Sequence, residues 1–162
     1  MKLKIVTFLL LFLLTGISSI SRLAAQTHRF ATFNIRWDNP GDAGNLWKDR
    51  APHALHLIQF HQIGLFGTQE TLSHQLKQIN EGLGYLSIGV GRDDGKDKGE
   101  FSPIHYDPKQ YQLEDSGTFW LSPTPDSPSK SWDAALNRIC TWGRFKTKGG
   151  KRFYVFKSHK FP

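Results

Sequence analysis

At 162 residues the chain has the length of one ordinary domain. A single cysteine, Cys140, excludes an internal disulfide, so the fold must be held by its core, for which 13% aromatic residues supply the material. The formal charge of +7 suits a polyanionic or phosphorylated partner without demanding one.

The first 25 residues read as a leader. Lys2 and Lys4 open it, Ile5–Leu14 (IVTFLLLFLL) form an apolar run, and a polar stretch ends in LAAQ, the layout of a secretory signal peptide cleaved after Ala25. A retained N-terminal anchor is the alternative, but the run is too short to span a bilayer comfortably. The expectation is a secreted or periplasmic chain whose mature domain is 26–162, with no stable membrane span after cleavage. Loss of Lys2, Lys4 and Arg22 lowers the formal charge from +7 to +4.

His28–Trp37 (HRFATFNIRW) alternates and predicts a strand, followed by a loop at Asp38–Gly41. Pro52 predicts the first turn of a helix with Ala54, Leu55 and Ile58 as its apolar stripe. Ile63–Gln69 predicts a buried strand. Leu72, Leu76, Ile79 and Leu83 recur at helical spacing, with Gly82 near the stop. Strand, helix, strand, helix is the order of an α/β layer. The remainder predicts strands only, in YLSIGVG, GEFSPIHY, YQLEDSGTFWLS, RICTWGRF and RFYVFKSH. The turn Lys146–Lys151 joins the last two, with Gly149-Gly150 supplying the positive φ angles. Gly91–Gly99 and Ser122–Ser131 read as exposed loops, and Cys140 as a small buried hydrophobe.

Four polar residues fall at the ends of apolar strands: Asn34, Glu70, Glu100 and His159. Strand ends are where α/β folds collect ligand sites. Glu70 closes LFGTQE just ahead of a helix, where a carboxylate can hold a metal or cap the helix N-terminus. Glu100 also reads as part of the solvated loop before it, and Arg138 as a strand-edge charge. His53 and His56 read as a solvated helix face. Asp93, Asp94 and Asp97 miss the alternating spacing of a calcium loop. Trp47 and Arg50 read as structural.

Taken together, ATFNIRW, GTQETL, GEFSPIHY, NRICTW and FKSH resemble, in order and spacing, the endonuclease/exonuclease/phosphatase family, the DNase-I-like phosphohydrolases. The stretch SGTFWLSPTPDSPSKSWDAALNRICTWGRF is similar to a secreted bacterial branch. The resemblance runs from His28 to His159. It implies an α/β (α+β) fold, a four-layer sandwich of two sheets with helices outside, and Mg²⁺-dependent (or Mn²⁺-dependent) hydrolysis of a phosphoester or phosphodiester. It assigns Glu70 to the metal, Asn34 to metal and scissile phosphate, and Arg138 to phosphate. It pairs His159 with Glu100, an arrangement that favours the charged imidazole and lets His159 donate a proton. The substrate is a phosphorylated one, with nucleic acid, phospholipid and sugar phosphate all open.

The same resemblance fails near the end. Lys157 and Ser158 stand where the family writes Asn and Thr, and Phe161 where it writes Asp. The G-D-x-N and S-D-H segments of its second half are absent. The expectation is a truncated, catalytically incomplete member. It would hold its cation weakly if at all and expose the inner face of a single unpaired sheet as an association surface. A secreted binding module for polyanions or glycans, using the five Trp residues, and a non-functional gene fragment are the alternatives.

Overall fold

The computed structural model describes residues 27–159. The leader expected at residues 1–25 and the tail at residues 160–162 lie outside the described residues. In chain order the elements are β1 (Phe30–Asn34), α1 (Trp47–Phe60), β2 (Leu65–Gln69), α2 (Ser73–Leu83), β3 (Leu86–Ile88), β4 (Ile104–Tyr106), β5 (Tyr111–Trp120), β6 (Ile139–Thr147) and β7 (Arg152–Ser158). They form a four-stranded sheet of order β1-β2-β4-β3 and a three-stranded sheet of order β5-β6-β7. In the first sheet β1 and β2 run parallel, and the β2-β4 and β4-β3 pairs are antiparallel. The second sheet is an antiparallel meander with a bulge between Leu113 and Asp115.

Side-chain alternation decides what each sheet packs against. Phe66 faces the helices, where it joins Ile35, Trp47, Ala51, Ile58 and Ile79 in one core. Leu65, from the opposite face of β2, joins Ile104 and Tyr106 and meets Tyr111 and Phe145 of the second sheet in another core. Tyr106 and Phe145 pack edge-on at 5.3 Å, and Phe145 stacks on Phe153 at 5.9 Å. The result is three layers, helices on sheet on sheet, a mixed α/β architecture.

This corrects the expectation of one sheet with a bare inner face. The strands after β4 do not extend the first sheet; they cover it. The open face is the outer side of β5–β7, where Tyr154 is 55% and Phe156 64% exposed. Trp142 continues that aromatic row.

Local differences have local causes. Helix α1 starts at Trp47, so Pro52 sits inside it rather than in its first turn. The early start is fixed by the Asp38 carboxylate, which accepts the Trp47 N–H at 2.9 Å, and by the Trp47 indole, which donates to Gln78 at 2.8 Å. Arg50 ties the same turn to the Ile35 and Asn45 carbonyls. The stop of α2 is Gly84, which takes φ 67° and donates to the Asn80 carbonyl, rather than Gly82. The YLSIGVG strand contracts to Leu86–Ile88 because Gly89 turns out of line at φ 124°. The GEFSPIHY strand keeps Ile104–Tyr106, with Phe101 left in isolated bridges to Thr71 and Gly91. In the β6–β7 turn only Gly150 has positive φ. Cys140 is buried, as read. No helix among the described residues is long and apolar enough to cross a membrane.

Two close contacts set measurable limits. At Gly67, in the middle of β2, a Cβ would collide with the Lys157 stem, which lies across this glycine between the sheets. Gly67→Ala is therefore expected to destabilise by about 1–3 kcal/mol, read as a lower denaturation midpoint at unchanged m-value. His105 is fully buried, and burial lowers its pKa from 6.5 to about 3. The unfolded chain binds this proton below pH 6.5 and the folded chain does not. Stability is thus complete above pH 6.5 and falls toward pH 3, by about 1.4 kcal/mol per pH unit for this group. His105→Phe is expected to remove that slope from the urea-unfolding free energy measured across the window.

Candidate active site

Because β1 and β2 are parallel with Asn34 opposite Gln69, their C-terminal ends meet at one edge of the sheet. The Lys157 stem over Gly67 brings the end of β7 to that same edge. Three strand ends thus deliver Asn34, Glu70 and His159 to a common place.

The backbone turns sharply at two of them. Arg36 has φ 62° and Glu70 φ 56°, left-handed conformations that cost non-glycine residues of order 1–3 kcal/mol each. Both are held by side chains. Asn34 Oδ1 accepts the Arg36 N–H at 2.9 Å. Asn34 Nδ2 donates to Glu70 Oε1 at 2.7 Å, and the Trp37 N–H donates to Glu70 Oε2 at 3.1 Å. Burial works to raise the Glu70 pKa, but these two hydrogen bonds, with help from His159 and Arg36, outweigh it and hold the carboxyl below its usual value.

His159 Nε2 stands 3.9 Å from Glu70 Oε1. Burial and the neighbouring charges of Lys157 and Arg138 pull its pKa below the ordinary value, against the opposing pull of Glu70 and Glu100. This lowering works against the charged form that a carboxylate pairing favours. Glu100 Oε2 is engaged by Arg92 Nη1 at 2.7 Å. Glu100, Arg138 and His159 line one small cavity together with Arg92 and Asn137. All five residues proposed from sequence thus gather at one end of the sandwich, Asn34 and Glu70 on one side and Glu100 and Arg138 on the other, with His159 in reach of both.

Two members of this neighbourhood carried no functional reading in the sequence. Arg92 opens what reads as a solvated loop, yet its side chain is 11% exposed. Its carbonyl is fixed by the Trp120 indole at 2.7 Å and by Asn137 at 3.1 Å. Nothing in Arg-Asp-Asp-Gly announces that burial. Lys157 stood out only as a departure from a motif. It is buried, its ammonium donates to the Ser158 carbonyl at 2.8 Å, and burial lowers its pKa to about 8.

The donor set only partly suits a hard cation. Glu70 offers carboxylate oxygens of the right kind. Asn34, however, turns its NH₂ toward Glu70 and commits its oxygen to Arg36. Among the described residues no three His, Cys, Asp or Glu side chains are grouped to hold a metal ion, and His53 and His56 are exposed on α1. These residues alone do not complete a Mg²⁺ site.

No protein-family model matches the chain, and no curated protein does. Solved structures do. An endonuclease/exonuclease/phosphatase family protein from Bacteroides thetaiotaomicron is 50% identical over 81% of this chain and 49% of its own, with a TM-score of 0.79. A mannosyl-6-phosphatase of the same organism is 49% identical over 80% of this chain and 50% of its own, with a TM-score of 0.78. A Bacteroides vulgatus endonuclease/exonuclease/phosphatase is 44% identical over 83% of this chain and 53% of its own, with a TM-score of 0.80. The chain spans about half the length of these relatives. At 44–50% identity over about 80% of its length, the chain belongs to the endonuclease/exonuclease/phosphatase family.

Proposed function

We propose that the chain carries the first half of a secreted or periplasmic phosphoester hydrolase site, built for a sugar phosphate and catalytically incomplete by itself. The observation that supports this most directly is the Asn34–Glu70 hydrogen bond of 2.7 Å at the strand edge, with His159 3.9 Å from the same carboxylate oxygen. The sugar phosphate is favoured over nucleic acid or phospholipid by the 49% identity to a mannosyl-6-phosphatase. Export rests on the leader-like residues 1–25.

In this reading the Arg138 guanidinium neutralises phosphate oxygens and the Asn34 amide orients them. His159, in its neutral form, takes a proton from the water that attacks phosphorus; the P–O bond to the sugar breaks, and the leaving oxygen takes its proton from solvent. Glu100 keeps Arg92 in place beside the cavity. Bound Mg²⁺ or Mn²⁺ would supply charge neutralisation at the phosphoryl group, and Glu70 would be its one carboxylate here. One carboxylate leaves a hard cation mostly water-bound and weakly held. The exposed Tyr154 and Phe156 favour a second property, association through the outer face of β5–β7, where aromatic rows also suit a glycan.

The test combines binding and turnover. Mn²⁺ titrated into the chain, followed by electron paramagnetic resonance, is expected to show weak binding that Glu70→Gln weakens at least about tenfold, the loss of one carboxylate ligand. Hydrolysis of mannose 6-phosphate and of bis-p-nitrophenyl phosphate in Mg²⁺ is expected to stay at the level of buffer. Mn²⁺ affinity indifferent to Glu70→Gln would remove the ligand role, and Mg²⁺-dependent turnover by the chain alone would remove the incompleteness.

A further inference from the structure

Behind the turn that presents Glu70 lies a run of buried polar groups that the site itself does not use. His105, on β4, is fully buried and stacks on Phe66 at 4.7 Å. Its Nδ1 lies 2.9 Å from Asn80 Oδ1, and its Nε2 lies 3.1 Å from Thr68 Oγ1. Thr68 Oγ1 in turn lies 2.7 Å from Thr71 Oγ1. Thr68 and Thr71 have no exposed surface.

The direction of every bond follows from the chemistry at the Asn80 end. Asn80 Nδ2 donates to Ser87 Oγ at 2.7 Å, and an amide oxygen can only accept, so His105 Nδ1 must carry the ring proton. Nε2 is then an acceptor and takes the Thr68 hydroxyl proton. Having spent its proton, Thr68 Oγ1 accepts from Thr71 at 2.7 Å, a much closer partner for the Thr71 hydroxyl than the Gln69 carbonyl at 3.4 Å. The chain of donors therefore runs from Thr71 inward, with one tautomer allowed. It spans the two residues between Thr68 and Thr71, Gln69 and Glu70, the second of which has φ 56°.

We propose that His105 is a positioning residue that, through Thr68 and Thr71, clamps the left-handed turn at Glu70 and so aims its carboxylate at Asn34 and the Trp37 N–H. A hydroxyl bridge across a turn fixes the distance between its two ends. A buried ring that cannot rotate without breaking both its bonds fixes the bridge. The strain at Glu70 is thereby offset by a network far from solvent in addition to the site's own contacts. The functional weight of the clamp rests on Glu70 being the site carboxylate; the geometric claim does not.

Nuclear magnetic resonance of the ¹⁵N-labelled chain tests it. Wild-type His105 is expected to show a protonated Nδ1 and an unprotonated Nε2; the opposite tautomer overturns the proposal. The Trp37 amide and the Asn34 side-chain amide report on Glu70, since both donate to it. His105→Phe, which keeps a ring on Phe66, and Thr71→Val, which removes only the hydroxyl, are each expected to speed Trp37 amide exchange about tenfold by local opening and to shift the Asn34 NH₂ signals toward those of a free amide. Core amides such as those of Ile79 and Phe145 stay protected, and Thr71→Ser restores the wild-type signals. Unchanged Trp37 and Asn34 signals in Thr71→Val overturn the clamp, whether or not His105→Phe folds. These signals are read without metal or substrate. Loss of the Glu70 ligand role in the Mn²⁺ titration would therefore fail the proposed function and leave the clamp to be judged separately.

Discussion

The contact between the two sheets is the constraint on which the rest depends. Leu65, Ile104 and Tyr106 on one inner face meet Tyr111 and Phe145 on the other. Burial of aromatic and branched side chains of this size stabilises by roughly 1.5–3 kcal/mol each, ample to fix one sheet's position on the other. The strand ends inherit that position. β7 reaches the edge where β1 and β2 finish because its residues Phe153, Val155 and Lys157 lie against the first sheet. Without this contact Asn34 and Glu70 would still meet, since β1 and β2 pair directly. His159 would have no fixed place beside them.

Once the strands are placed, the electrostatics follow from burial. The edge gathers Glu70, Glu100, Arg92, Arg138, Lys157 and His159 in a partly desolvated space. Glu70 there is held ionised by hydrogen bonds from Asn34 and Trp37. At His159, burial and the charges of Lys157 and Arg138 outweigh the pull of Glu70 and Glu100 and lower the pKa. Burial shifts both Lys157 and His159 downward, and the Lys157 charge adds to the shift at His159.

Much of this was legible in the sequence, for reasons that can be named. Periodicity found both helices and located every strand, because apolar alternation is a direct consequence of which face is buried. The ordered segments around Asn34, Glu70 and His159 gave the family, because site residues sit at strand ends whose flanks are constrained too. Which sheet each strand joined was not legible. Alternation tells that a face is covered and not by what, so β5–β7 read equally well as an extension of β1–β4. The surroundings of His159 were only half legible for a related reason. Glu100 was visible as a partner, while the burial and the Lys157 charge that oppose it exist only in the fold. Pro52 was read by its usual place in a first turn, and the Trp47–Asp38 bond that starts the helix earlier is a contact across a loop. Arg92 was invisible because its burial is arranged by Trp120 and Asn137, distant in sequence.

The slot at Gly67 has a consequence for how such a sequence can change. The stem that fills it belongs to the same residue whose ammonium reaches the edge, so core packing and site charge are joined in one side chain. A shorter residue at 157 would empty the slot, and a larger one at 67 would evict the stem. Neither position can drift alone at low cost. Routes between alternative pairs pass through a poorly packed single mutant, and the two positions are expected to vary together among proteins that share this arrangement.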